Sequence, residues 1–447
     1  MMKGLVIWKD GHASLEEMKK PEIGEYQALV RVTAGALCGT DKEIIYDVLK
    51  GFHNYPTVLG HEGVGRVEAV GSKVKNFAVG DKIVLPFLDD GEDFYSTWGA
   101  FAEYAVIGDA EAMMEDGHTV GDGVLTEGNL AQKKIPQQFD DVEAAMIVTY
   151  REVYSTMKRL GFRKGKSLVI YGAGPVGLVF ITLAKYMGLS PIISVDHTEK
   201  KLESARTCGA DYTLNFDQCN VMEEVLKILP DKADMILDAA GIPSLINQNL
   251  KLVKNFGDVC VYGETAKSEH LINWEEAPFC FNLRFAQWPS KAEEASVHDE
   301  IIALMKQGVL KGSNYISDVF DFKDSVEAIE YFKAKKNKGK ILNVASIAGF
   351  MPGPLMATYY ATKNYIVRLS EAIREELKKE KSKVQISILC PGPVETNFNK
   401  VANVKFSLRE ANSMQVAKYA IKKLEKGKFY IVPGIDVKLA RFGAKIA

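Results

Sequence analysis

A thiol, an imidazole and a carboxylate occur in two short Gly-bearing segments near the start of the chain. LCGTD at 37–41 carries Cys38, and LGHEGVG at 59–65 carries His61 and Glu62. These ligand types suit a tetrahedral Zn²⁺ ion that keeps one position open to substrate. The Cys-Gly and Gly-His contexts fit tight turns at strand ends, where distant ligands converge. A second segment, YGAGPVG at 171–177, spaces Gly172, Gly174 and Gly177 as G-x-G-x-x-G. It falls between a strand pattern and a helical pattern, and Asp196 ends the next strand. Dinucleotide binding needs this arrangement. Gly172 permits the tight turn, Gly174 lets the backbone approach a pyrophosphate, and Gly177 lets helix and strand pack closely. The diphosphate then meets free N–H groups at the positive end of a helix. Asp196 would accept hydrogen bonds from the adenosine ribose and repel a 2′-phosphate, so NAD is expected rather than NADP. His197 and Lys201 beside it could partly offset that charge. A third set lies near the end of the chain. NVAS closes on Ser346, YYATK carries Tyr359 with Lys363 four residues on, and PGPVET ends at Thr396. The i, i+4 spacing puts Tyr359 and Lys363 on one helix face.

The elements that must position these residues are legible in outline. Residues 1–108 read as mostly β, with short apolar runs broken by Gly and Asp turns. From 165 to 265 strands and helices alternate. Apolar, β-branched strands spaced by helices imply a parallel, doubly wound sheet, so the fold class is α/β. A helix is expected over 293–309, and a strand, a short helix and a Lys/Gly turn over 315–340. The turn at Lys338-Gly339-Lys340 is the best domain boundary. After it come a strand (ILNVAS), a helix from about Tyr360 to Lys381, a strand (VQISILC), a helix near Met414–Leu424 and a last strand (KFYIVPG). Residues 109–130 read as a polar surface insertion.

Composition bounds the function. The chain has 447 residues, 47% of them hydrophobic and 26% charged. That suggests about three domains and excludes a largely disordered chain. No apolar run is long enough for a membrane span, and no basic–aromatic nucleic-acid motif stands out, so neither membrane nor nucleic acid is an expected partner. The start, MMKGLVIWKDGH, lacks the pattern of a secretory signal. The 6 cysteines are sparse and irregularly spaced, as expected of reduced thiols in a cytoplasmic protein. The formal charge of −2 hides an asymmetry: residues 341–447 carry 18 Lys+Arg against 8 Asp+Glu, a net of +10, and the rest carries −12. A sharp split of this kind suggests two parts of different origin.

Residues 1–340, about three-quarters of the chain, resemble the medium-chain, zinc-type alcohol and polyol dehydrogenases. CGTD, GHEGVG, GDK at 80–82, GAFAEY at 99–104, GAGPVG and DAAG at 238–241 stand in that family's order and at about its spacing. The resemblance implies a β-rich, GroES-like catalytic domain from 1–150 and 285–340, with a Rossmann NAD-binding domain at 151–284 between its parts. It implies Cys38 and His61 as zinc ligands, Glu62 as a nearby or exchanging ligand, and Thr40 as the hydroxyl of a proton relay. It also implies a small alcohol, polyol or carbonyl substrate and a homo-oligomer, dimer or tetramer. The metal would stabilise the substrate's developing alkoxide while its carbon passes hydride to the nicotinamide. Two departures stand out. The stretch LPFLDDGEDFYSTWG lacks the four cysteines of a structural zinc lobe, so no structural zinc is expected. The family's third-ligand position falls on Val148, which cannot ligate, leaving Glu62 or Glu152, one helical turn on, as the alternatives. A zinc-free site is the remaining one. His53, Trp98, Arg284 and Trp288 are candidates for the pocket lining.

Residues 341–447 resemble the C-terminal half of a short-chain dehydrogenase/reductase. The resemblance implies that Ser346 orients a substrate oxygen, Lys363 lowers the Tyr359 pKa, Tyr359 transfers the proton and Thr396 holds a carboxamide. That family's glycine motif and first strands are absent ahead of residue 341, so the fragment, partial and Rossmann-like, is expected to be inert. The alternatives to the zinc reading are reductase activity from this Ser/Tyr/Lys set, or a non-catalytic fusion that only binds NAD. The strand at 341–345 suits either family and can occupy only one sheet.

Overall fold

The computed structural model describes residues 1–49, 51–264, 269–336, 340–354, 356–379, 384–395, 410–434 and 436–438. Contacts divide the chain into two compact units, Met1–Val326 and Glu327–Ala447.

The first unit opens with two β-sheets. A five-stranded antiparallel sheet runs in the order Tyr104–Gly108, Gln27–Gly35, Gly63–Val70, Lys82–Val84, Lys133–Ile135. A four-stranded sheet joins Ala13–Met18, Met2–Ile7, Thr57–Val58 and Tyr95–Ser96. Then comes a six-stranded, all-parallel sheet in the order Tyr212–Asn215, Ile192–Asp196, Leu168–Tyr171, Ala233–Asp238, Val253–Val261, Phe281–Phe285. This is the doubly wound order, with a switch point between the first strand and its two neighbours. The strands Leu168–Tyr171 and Ile192–Asp196 are buried along their whole length, as helices on both faces require. The helix Ile147–Leu160 buries eleven of its residues, and its apolar side chains share one core with the first strands of the parallel sheet.

Three expectations need correction. Residues 109–130 are no bare insertion: they form the helices Ala110–Glu115 and Glu127–Ala131, and Ala112, Met113 and Leu125 are buried with Tyr26. Too few apolar residues mark this small core for a period to show. The helix at 293–309 is two, Lys291–Ser296 and His298–Lys306, meeting at Val297. The strand expected after 315 does not form. The chain makes 3₁₀ turns at Gly312–Asn314 and Phe322–Asp324, and Val319 is 66% exposed. Alternating hydrophobicity makes a strand only where a partner edge offers hydrogen bonds.

The second unit contains a three-stranded parallel sheet, Lys340–Val344, Gln385–Leu389, Tyr430–Ile431. Helices Ala357–Lys379 and Ser413–Glu425 accompany it. The shared strand therefore pairs within the tail, residue for residue from Lys340↔Gln385 to Val344↔Leu389. Lys338 and Gly339 of the boundary turn lie outside the described residues. No described helix is long and apolar enough to cross a membrane.

Candidate active site

Strand register brings the metal-type ligands together. Gly35, ending one strand, pairs with Gly63, opening its antiparallel neighbour. Residues just after 35 therefore lie beside residues just before 63, and Ala36 N–H donates to the Glu62 carbonyl at 3.0 Å. Cys38 caps the helix Gly39–Ile45, its N–H held by the Asp41 carboxylate at 2.8 Å. On the other segment Gly60 has φ +113, and a Cβ there would strike the Phe101 backbone. That turn swings His61 and Glu62 inward, where both are buried.

The ligand atoms of Cys38, His61 and Glu62 all lie within 4.8 Å of one another. His61 Nδ1 sits 3.3 Å from Asp41 Oδ1, in ion-pair range but off the line of a hydrogen bond, which leaves Nε2 for a ligand. The Thr40 hydroxyl is 3.9 Å from Cys38 Sγ. Thr149, on the helix Ile147–Leu160, donates its hydroxyl to Glu62. Glu152 stands outside the three-residue group, 3.7 Å from the Lys291 ammonium, and Val148 is fully buried. Burial opposes His61 protonation, but the Asp41 carboxylate outweighs it and holds the imidazole well above its usual range. Burial raises the Cys38 thiol, with the Glu62 charge adding. Burial also lifts Glu62 to about 7, aided by Glu152 and opposed by His61. A bound divalent cation reverses this logic, because it favours thiolate, neutral imidazole and carboxylate together. Soft thiolate, imidazole and carboxylate shielded from water are donors suited to Zn²⁺, so the residues fit that ion.

Asp41 and Thr149 were missed by the sequence reading. Asp41 lies inside the CGTD segment, and a carboxylate one helical turn after a ligand is a usable signal for a partner of the metal-binding imidazole. Thr149 gives no local signal, since only tertiary packing brings it to Glu62. Phe52 was also missed. Trp98 lies 4.9 Å from the His61 ring and 5.2 Å from Phe52, and Trp288 lies 5.7 Å from Trp98. Of the other pocket candidates, His53 is bound to Asp47 at 2.6 Å and Arg284 to Asp258 at 2.8 Å.

The glycine motif has the form its chemistry asks for. Gly172 has φ +99, Gly174 caps the helix Pro175–Tyr186, and a Cβ on Gly177 would lie 1.9 Å from the Gly172 carbonyl oxygen. Space beside Gly174 is open. The residues present therefore fit a dinucleotide diphosphate. Asp196 accepts the Ala173 N–H at 2.9 Å and the His197 N–H at 2.8 Å. It also pairs with Lys201 at 3.1 Å, so its charge is partly offset.

In the second unit Ser346 is buried, and its hydroxyl accepts the Ala348 N–H at 3.2 Å. Lys363 donates to the Val344 carbonyl at 3.3 Å, and its ammonium is 5.8 Å from the Tyr359 ring centre. Thr396 lies outside the described residues.

Comparison with known proteins agrees with this geometry. Residues 24–115 match the alcohol dehydrogenase GroES-like domain family, and 175–284 match the zinc-binding dehydrogenase family. Over residues 24–284 the chain is thus similar to the medium-chain, zinc-type alcohol dehydrogenases. Residues 321–405 match the short-chain dehydrogenase family. The chain is 29% identical over 289 residues to an alcohol dehydrogenase of Cupriavidus necator, covering 59% of this chain and 76% of that one. It is 25% identical over 347 residues to a sorbitol dehydrogenase of Bacillus subtilis, covering 75% and 95%. A zinc-binding dehydrogenase of Sinorhizobium meliloti, solved with NADP, has the same fold at TM-score 0.61 and 22% identity, covering 74% of this chain and 95% of that one.

Proposed function

We propose that the chain is a zinc-dependent oxidoreductase that transfers hydride between an alcohol or polyol and NAD. The observation that carries this reading is the convergence of Cys38, His61 and Glu62 within 4.8 Å, in the same compact unit as the glycine loop. Those three residues would hold the metal, with Asp41 fixing the His61 ring and Thr149 turning the Glu62 carboxylate. The free N–H groups after Gly174 would hold the cofactor diphosphate, and Asp196 the adenosine ribose. When bound, zinc supplies a Lewis acid that favours an ionised substrate oxygen, and NAD supplies the hydride acceptor. Thr40 accepts the proton leaving that oxygen and passes it outward. The apolar aromatic side chains beside His61 exclude water from the reacting carbon.

NAD rather than NADP is supported by the Asp196 carboxylate and weakened by Lys201 upon it. A cytoplasmic location is supported by six cysteines, none of them in a disulfide. A homo-oligomer, dimer or tetramer, is supported by the edge strand Phe281–Phe285, whose Phe285 is exposed along with Trp274 and Phe279 ahead of it in the chain.

The test is Cys38→Ser with metal content, NAD binding and turnover measured together. The unmutated chain should hold one zinc and reduce NAD with simple alcohols. The variant should lose zinc and turnover while still binding NAD. A fully active, metal-free protein would refute the proposal.

A further inference from the structure

We infer that Phe52, Trp98 and Trp288 form an aromatic slot beside His61 that selects a flat aromatic alcohol over a polyol. This deepens the dehydrogenase reading of the same site and rests on it. The three rings come from three separate segments: the chain after the helix Gly39–Ile45, the turn ahead of GAFAEY, and the chain after the edge strand Phe281–Phe285. Two therefore come from the first hundred residues and one from the chain just after the parallel sheet, so the slot joins segments far apart in sequence.

The rings touch one another and His61. Trp98 touches the candidate ligand itself, 4.9 Å from the His61 ring at 57°. Phe52 and Trp288 face each other within 18° of parallel at 6.3 Å. Trp98 closes the triangle at 5.2 Å from Phe52 and 5.7 Å from Trp288. Trp98 has φ +68, a conformation a bulky residue adopts only where its surroundings impose it. The rings are not packed away: Trp288 is 37% exposed, and Phe52 and Trp98 are half-buried. Offset and tilted aromatic contacts at these distances are attractive, so an aromatic substrate ring can extend the cluster.

Polyol hydroxyls meet the opposite situation. The charged side chains that neighbour Phe52 and Trp288 along the chain are already engaged: His53 with Asp47 at 2.6 Å, Arg284 with Asp258 at 2.8 Å, Lys291 with Glu294 at 2.5 Å. Hydroxyls that leave water without new partners carry a desolvation cost. A site without groups built to bind an extra hydroxyl gains nothing from it.

The experiment uses the full-length enzyme with zinc and NAD. Catalytic efficiency is compared for benzyl alcohol, ethanol and sorbitol. Benzyl alcohol should exceed sorbitol by at least about 100-fold. Trp288→Ala and Phe52→Ala should each lower the benzyl alcohol to ethanol ratio about tenfold, through KM. A second arm reads binding directly: benzaldehyde should quench tryptophan fluorescence, since two of the 4 tryptophans in the chain line the slot, and Trp288→Ala should weaken that binding. Sorbitol turning over better than benzyl alcohol would overturn the slot while leaving the dehydrogenase reading intact. Absence of turnover with every alcohol would sink the dehydrogenase reading instead. The slot would then stand or fall on the benzaldehyde titration, and equal binding to wild type and Trp288→Ala would overturn it.

Discussion

Asp196 shows how one residue carries a specificity and how a neighbour moderates it. Its carboxylate would face a 2′-phosphate with repulsion on the order of 1–3 kcal/mol, but Lys201 stands 3.1 Å away. Asp196→Ala should therefore do more than remove repulsion, because it releases a cation to meet the phosphate. The NAD to NADP efficiency ratio should fall at least about tenfold. An unchanged ratio would show that Asp196 does not face the ribose. His298 gives a pH dependence of stability. It is buried, its Nε2 donates to the Lys134 carbonyl at 2.9 Å, and its Nδ1 faces Arg151 at 3.5 Å. Burial, with the Arg151 cation adding, lowers its pKa to about 4 from the usual 6.5. Unfolded chains take up this proton as pH falls through the usual value, whereas the folded chain resists until about pH 4. The stabilisation is thus complete above about pH 6.5 and is lost as pH falls towards 4, at most on the order of 3 kcal/mol. His298→Gln should flatten the acid side of the stability curve between pH 7 and 4.5, as read by urea denaturation. A parallel curve for the variant would refute this.

The turn from the strand Leu168–Tyr171 into the helix Pro175–Tyr186 is the element on which cofactor binding depends. Gly177 packs against the Gly172 carbonyl so closely that a Cβ would lie 1.9 Å from that oxygen. Gly177→Val must push the helix start away from the loop. NAD affinity should fall about 100-fold or more, because the N–H groups aimed at the diphosphate move. Zinc content should stay at one per chain, since Cys38, His61 and Glu62 sit on other elements. Titration calorimetry with NAD and metal analysis check both halves. Loss of zinc along with NAD would mean that the two sites fold as one.

At the scale of the whole molecule the question is what the second unit contributes. It has Ser346, Tyr359 and Lys363 and a three-stranded sheet, and its sequence holds no G-x-G-x-x-G motif ahead of that sheet. Lys363 is drawn to the Val344 carbonyl at 3.3 Å. A general acid works only within reach of the proton it transfers, and hydride transfer needs near-attack geometry. Tyr359→Phe should leave alcohol-dependent NAD reduction unchanged within error. A fall by orders of magnitude with zinc still bound would place Tyr359 in the active site.

Local chemistry was enough to read much of this molecule. Glycine spacing, buried β-branched strands and a carboxylate at a strand end announced the nucleotide-binding sheet, because each reports a constraint within a few residues. CGTD and GHEGVG likewise marked the metal-type ligands in their own segments. The rest depended on contacts between residues far apart in the chain. Pairing of Gly35 with Gly63 brought Cys38 to His61, and helix packing, not spacing, brought Thr149 to Glu62 and left Glu152 with Lys291. The aromatic slot draws on residues 52, 98 and 288, whose separation no periodicity can encode. The strand Lys340–Val344 suits two sheets equally as a sequence. It joined the one where Gln385–Leu389 offered a free edge, because a strand's local pattern specifies its faces but not its partner.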